Sequence, residues 1–521
     1  KYILYRTDLL EYFSVLLSEK TEYEIFEVFP GKLPEIRNAF IGSLKWRQDS
    51  NITRRTFEFI NNEVLKYKDS FELFVETLIL LSTKKNHSLN AKRTVKYIMS
   101  FNMPDRDACF IYAFDKAFQG DSSVINVFLD WCFNIKNAVD IDTIKLAAKM
   151  IPVFFISSNK ALRDKSTKAL VSLLNNRTDI LIEILDYYKD ADDPYILERL
   201  YAVVFGCIVR ERNKGKIKKL ALKVYENVFS KKEVYPNILL RDYAKNTIDY
   251  AINVLGSLNI DISKTIPPYN SEFPVIPTDE EIKKYEIDYN SPDFKDYYWS
   301  QNSIISSMKV EYSRDGKPGG YGDFGRYVFQ NYFKAWKQLE PNDLMNIAVK
   351  KVFDMGYDVE KHGEYDRAIK NYDRFHKNNE RIGKKYQWIA LYELAARVAD
   401  NYKMEQYIDE HGKKIEAYCE GSFEPEIRNI DPTIKCLLFN KGLTYRPIHE
   451  ELYDIDNMRN DNWITDFSDL PDINSLIHTK VKRDNFILLN GWYSWTEDKQ
   501  LGFEKFELPQ KDMWVNINSY I

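Results

Sequence analysis

Cysteine is scarce in this chain, and neither sign of charge is in surplus. The five cysteines, Cys109, Cys132, Cys207, Cys419 and Cys436, are odd in number and show no CxxC spacing. That argues against a disulfide framework or a thiolate zinc site, and predicts buried free thiols in a reducing cytosol. The 74 basic and 78 acidic residues leave a net charge of −4. No global attraction to nucleic acid or to an anionic membrane follows. No apolar run approaches the ~20 residues of a membrane span, Tyr201–Val209 being the longest, and no signal peptide is visible.

The familiar catalytic spacings are missing too. GxxxxGK[ST], GxSxG and HExxH are all absent. The six histidines, His87, His362, His376, His411, His449 and His478, are scattered. His362 with Asp366 and Asp373 with His376 have helical spacing, but charged segments produce such pairs by chance. We therefore expect no catalytic residue, no metal and no cofactor in this stretch of chain. The glycine-rich run 314–325 lacks the phosphate-loop order, because Lys317 precedes Gly319, Gly320 and Gly322. A plain loop with Asp323 capping the following helix is the expectation there.

What is present is helix after helix. Residues 1–256 predict helices starting near Leu33, Thr53, Phe71, Asn90, Pro104, Ser122, Ile141, Lys160, Thr178, Asp193, Lys214 and Pro236, separated by short turn and capping segments. Arg163, Arg199 and Arg241 sit in related contexts 36 and 42 residues apart, close to the period of HEAT-type helix pairs. The reading is a mainly α protein, with a HEAT/TPR-like α-solenoid over 1–256 and a mixed α+β C-terminal region. A Pro-rich linker is expected at 257–294, a helical region at 295–420 and a small aromatic-rich β or mixed region at 421–521. The chain begins at Lys1 inside a helical pattern, so we expect a piece of a longer protein.

The C-terminal helical region centres on Glu380–Tyr402. Ile389, Tyr392, Ala396 and Ala399 recur at spacings of three and four, which predicts an amphipathic helix with a cationic lead-in. Arg367, Arg374, Lys377, Arg381, Lys384 and Lys385 fall within nineteen residues, interleaved with Tyr372, Phe375 and Tyr386. Such a surface suits an acidic protein face or a phosphate backbone. Glu360, Glu364, Asp366, Asp373 and Glu380 can equally neutralise it as ion pairs.

Four stretches together resemble one group, the C-terminal regions of bacterial antiphage STAND NTPases of the AVAST (Avs) type. They are Gly322–Gln330, Glu380–Asn401, Arg428–Pro432 and Gly491–Trp495, with Trp514 beyond. The resemblance implies a non-enzymatic, cytoplasmic sensor region that binds a phage protein such as the large terminase subunit or the portal. It also implies oligomerisation of the full-length protein through domains outside this sequence. On that reading Arg326, Arg367, Arg374, Arg381, Lys384, Lys385 and Trp388 are the ligand-binding candidates. Three rivals stay open: a nucleic-acid-binding HEAT-like protein using Arg367–Lys385, a non-enzymatic helical scaffold, and an enzyme with a site near Asp323, Arg326, Arg381 and Lys384.

Overall fold

Short polar residues punctuate the N-terminal half, and each does the same job. Asn90, Asn102, Asp140, Asn159, Asp193, Asn213 and Asn237 each accept a backbone N–H from the first turn of the helix that follows. A cap of this kind contributes about 1 kcal/mol and fixes where the helix starts. The computed structural model describes residues 7–21, 23–29, 34–120, 122–135, 139–311, 319–369, 379–408, 414–420, 478–481, 484–487, 490–497 and 511–518.

Among the described residues fourteen α-helices precede Gly256: α1 (Thr7–Lys20), α2 (Ile25–Val28), α3 (Pro34–Ser43), α4 (Arg54–Phe59), α5 (Lys68–Leu81), α6 (Ala91–Ile98), α7 (Met103–Phe118), α8 (Val124–Phe133), α9 (Ile141–Met150), α10 (Lys160–Leu174), α11 (Thr178–Tyr188), α12 (Pro194–Ile208), α13 (Lys214–Asn227) and α14 (Ile238–Leu255). They pack in two rows. Helices α8, α10, α12 and α14 neighbour one another in sequence, as do α9, α11 and α13, and each row packs on the other. This is the HEAT/TPR-like solenoid that the period predicts. Arg163, Arg199 and Arg241 lie on α10, α12 and α14, successive members of one row. Arg199 Nη1 reaches Asp164 of α10 at 2.6 Å, tying consecutive repeats together.

Six helices follow: α15 (Asp279–Lys283), α16 (Trp299–Met308), α17 (Gln330–Phe333), α18 (Pro341–Asp354), α19 (Val359–Ala368) and α20 (Ile382–Asn401). Strands β1 (Met404–Ile408) and β2 (Lys414–Ala417) form an antiparallel pair after them. A small apolar core lies among α1 to α5, and one continuous core runs from α5 through the array to Ala399.

That continuity corrects the expected linker. Residues 257–294 do not join separate domains, because their backbone groups bond across the later helices. Tyr269 N and Ser271 N donate to Asp400, Arg397 donates to Glu272 O, Asn401 to Ser271 O, and Asn346 to Pro277 O. Proline keeps most of this segment extended, the five-residue α15 being the exception, and it is held as a strap.

The chain divides into two units, Lys1–Leu438 and Phe439–Ile521. In the second, β3 (His478–Val481) pairs with β4 (Asp484–Ile487), and β5 (Asn490–Glu497) with β6 (Lys511–Asn518), all antiparallel. Gly491–Trp495 lies in β5, and Trp514 of β6 stands opposite Ser494. The rest of the expected aromatic-rich region, including 498–510, Arg428–Pro432 and Cys436, lies outside the described residues. Among the described cysteines Cys132 and Cys207 are buried, but Cys109 is exposed, contrary to the expected burial.

Candidate functional site

Helix α20 is a central helix, not an amphipathic one. Fourteen of its twenty residues are buried, and it packs on α14, α16, α18 and α19. The expected stripe is partly right: Ile389, Ala396 and Ala399 are buried, while Tyr392 is half-buried. Polar side chains accompany the apolar ones inward at both ends, and Lys385 and Asp400 are fully partnered there, whereas Gln387 Oε1 has no partner.

At the N-terminal end Lys385 is fully buried. Its ammonium donates to Asp107 of α7 at 2.8 Å, to Asp193 at 2.7 Å and to the carbonyl of Ile156 at 3.0 Å. Three N–H bonds meet three acceptors, so its donor capacity is exhausted. Asp193 uses its other oxygen to cap α12. Burial pushes the Asp107 carboxyl up to about 7 against the pull of Lys385. Asp366 of α19 accepts from the N–H groups of Ile382 and Gly383 at 2.5 and 2.9 Å, capping α20 from a neighbouring helix. Burial raises Asp366 to about 6, against those two bonds.

At the other end Arg241 grips Asp400 through two nitrogens at 3.1 and 3.0 Å, with both residues buried. The same carboxylate holds the 257–294 strap through Tyr269 N and Ser271 N.

The sequence candidates separate. Lys385 is an internal cation and cannot meet a ligand, because its neighbour on the helix lies about 100° away around the axis and takes the outward place. Arg367 is exposed but makes two 2.8 Å bonds to Asp296. Arg374 lies outside the described residues. Trp388 is half-buried, edge-on to Phe324 with 4.9 Å between centroids. Arg326 pairs with Glu311 at 3.3 Å and lies 4.6 and 5.5 Å from the ring centroids of Tyr321 and Tyr327.

The glycines of 319–325 are explained by close packing rather than by phosphate. Gly319 N and Gly322 N bond to Glu311 O and Lys309 O. A Cβ on Gly325 would lie 2.2 Å from Met308 O. The backbone thus lies flush on the chain leaving α16. Asp323 accepts from the next N–H, that of Phe324, one residue inside the helical turn rather than at its cap.

Arg381 and Lys384 remain. They line a cleft of about 1210 Å³ with walls from α5, α7, α19 and the start of α20, which also holds Asp323, Cys109, Tyr112 and Tyr365. The sequence offered no route to the α5 and α7 wall, some 270 residues from α20. Three of the four residues named for an enzyme site, Asp323, Arg381 and Lys384, meet in this cleft, while Arg326 is held elsewhere. His362 and Asp366 have separate partners: His362 Nε2 bonds Pro104 O, and its Nδ1 accepts from Asp358 N. Among the described residues no group of three His, Cys, Asp or Glu side chains is placed to hold a metal. No helix among them is long and apolar enough to cross a membrane.

Comparison with protein-family models, with curated proteins and with solved structures finds no match for this chain.

Proposed function

We propose that this chain is the ligand-sensing, protein-binding region of a larger bacterial antiphage STAND NTPase of the AVAST type. It recognises a phage protein such as the large terminase subunit or the portal, in the cytoplasm, without catalysing a reaction itself. One observation supports this most. Two of the stretches that carry the resemblance, Gly322–Gln330 and Glu380–Asn401, are packed together through Phe324 and Trp388, and Tyr327 of the first lies outward with the preceding Tyr321, both against the half-buried Arg326. Tyr321 and Tyr327 are 69% and 56% exposed, and their ring edges meet over Arg326. Tyr and Arg dominate the energetics of protein interfaces, and a stacked Arg–Tyr set loses little side-chain entropy on binding.

The solenoid contributes stability to this surface by anchoring α20 at both ends. The nucleic-acid reading keeps fewer of its six cations: Lys385 is buried and Arg367 is paired with Asp296. The experiment is a pull-down of purified phage terminase and portal proteins with this chain, repeated with Arg326→Glu. Capture of one of them that Arg326→Glu abolishes supports the proposal, and capture of neither sinks it.

A further inference from the structure

The cleft between α5, α7, α19 and the head of α20 has features that a protein-docking surface does not need. It is recessed, and its volume of about 1210 Å³ is slightly above the range of small-molecule sites. Arg381 and Lys384 line it, and neither has an ionic partner among the described residues. No carboxylate among the described residues lies within 4 Å of Arg381 or Lys384. The Lys384 ammonium instead sits 4.2 Å above the Phe324 ring. Burial holds that ammonium below the ordinary lysine range, with Asp323 and Glu380 pulling the other way from further off.

Four of the carboxylates that line the cleft accept a hydrogen bond, and the exposed Glu364 is the fifth. Glu380 accepts from Trp388 Nε1, Asp323 from Phe324 N, Asp115 from Tyr365 and Ser157, and Glu72 from Lys116. The helix end is not the binding element either, since Asp366 takes the N–H groups of Ile382 and Gly383. A desolvated cation without a counter-ion is costly in a folded protein, and such groups are retained where an anion completes them. The opposite wall supplies an aromatic surface: Tyr112 of α7 is 37% exposed and meets Tyr365 edge-on.

We propose that this cleft binds a small phosphorylated ligand of the nucleotide class. Arg381 and Lys384 hold its phosphate, and Tyr112 packs against its base. Arg381 supplies the planar fork that matches two phosphate oxygens, and Lys384 a point charge. Asp323 and Glu380 beside them limit the charge the pair can neutralise, which favours one phosphate over a polyphosphate. This site is separate from the Tyr321–Arg326–Tyr327 surface and does not depend on the protein-binding reading.

The test is calorimetric titration of the full chain with AMP, ATP and inorganic pyrophosphate. Saturable binding of AMP is expected, weakened at least tenfold by Lys384→Met and by Arg381→Gln, and unchanged by Tyr321→Ala. Tyr112→Ala should weaken AMP but leave pyrophosphate unaffected. Lys384→Met is expected to melt no lower than the parent chain, because it removes an uncompensated charge. Arg381→Gln, at a half-buried position, carries the test if Lys384→Met fails to fold. The proposal is overturned by absence of saturable AMP binding at millimolar concentration, or by affinity that survives both cation substitutions. Indifference of AMP to Tyr112→Ala overturns the nucleotide assignment.

Discussion

Lys385 and Asp193 are 192 residues apart in the chain and 2.7 Å apart in space, with neither side chain exposed to solvent. The pair joins α20 to the head of α12, and Asp107 on α7 completes it. Removing the ammonium would leave two buried carboxylates with Arg106, 4.0 Å from Asp193, as the nearby cation. Lys385→Met should therefore lower unfolding free energy by about 3–5 kcal/mol, as for other broken buried pairs. Urea denaturation measures it, and a loss under about 1 kcal/mol would mean that water or relaxation replaces the lysine.

Asp366 gives a pH dependence of defined sign. Its carboxyl is raised by burial to about 6 from 3.8. The folded state then binds the proton more tightly than the unfolded chain. Its contribution is fully present below the unfolded value and declines as pH rises through the interval up to about 6. The span corresponds to roughly 3 kcal/mol, since one unit is about 1.4 kcal/mol. Asp366→Asn removes the titration, so its cost should be larger at acid pH than at neutral pH. Stability curves of the two proteins that run parallel from acid to neutral pH would show that Asp366 does not titrate in this interval.

Gly325 has no room for a side chain, because a Cβ would meet Met308 O at 2.2 Å and Lys309 O at 2.5 Å, both backbone atoms. Gly325→Ala is expected to push the 319–329 segment off α16, at a cost of about 1–3 kcal/mol. Near-ultraviolet circular dichroism should change with it, through Trp388 and Phe324. An unchanged spectrum and melting temperature would refute this account of the glycine run.

Tyr321 and Tyr327 should carry binding rather than folding. Each is more than half exposed, so Tyr321→Ala and Tyr327→Ala are expected to shift stability by less than about 0.5 kcal/mol. Each should weaken capture of the phage protein by roughly fivefold or more, the hot-spot range. Surface plasmon resonance with the captured protein separates the two effects. Equal affinity in both variants would move the interface elsewhere.

Some of this was legible in the residues and some was not. Helix starts were, because Asn90, Asn159, Asn213 and Asn237 announce them locally and keep that role in the structure. The repeat was legible through Arg163, Arg199 and Arg241, which do fall on one row of helices. The prolines of 257–294 kept long helices out, α15 being a five-residue exception, but nothing local could tell a free linker from a strap. That distinction depends on Asp400, some 130 residues later. Lys384 and Lys385 read as one cationic step. One residue of helical rotation sends the second into the core and the first into the cleft. The sequence pattern for α20 predicted one apolar face, because Lys385, Gln387 and Asp400 count as polar until their distant partners are known.

The anchoring of α20 also sets an order of events in folding. Helices α5 to α14 close contacts between near neighbours, whereas α20 must find Asp107, Asp193 and Arg241 across most of the chain. Local contacts form faster than distant ones, so the array assembles before the helix that neutralises it. A nascent chain on the ribosome would hold these charged groups unmatched until α20 had been synthesised. Helix α20 is thus a checkpoint on assembly of the array that precedes it. Pulsed hydrogen exchange should find α20 amides protected after those of α12.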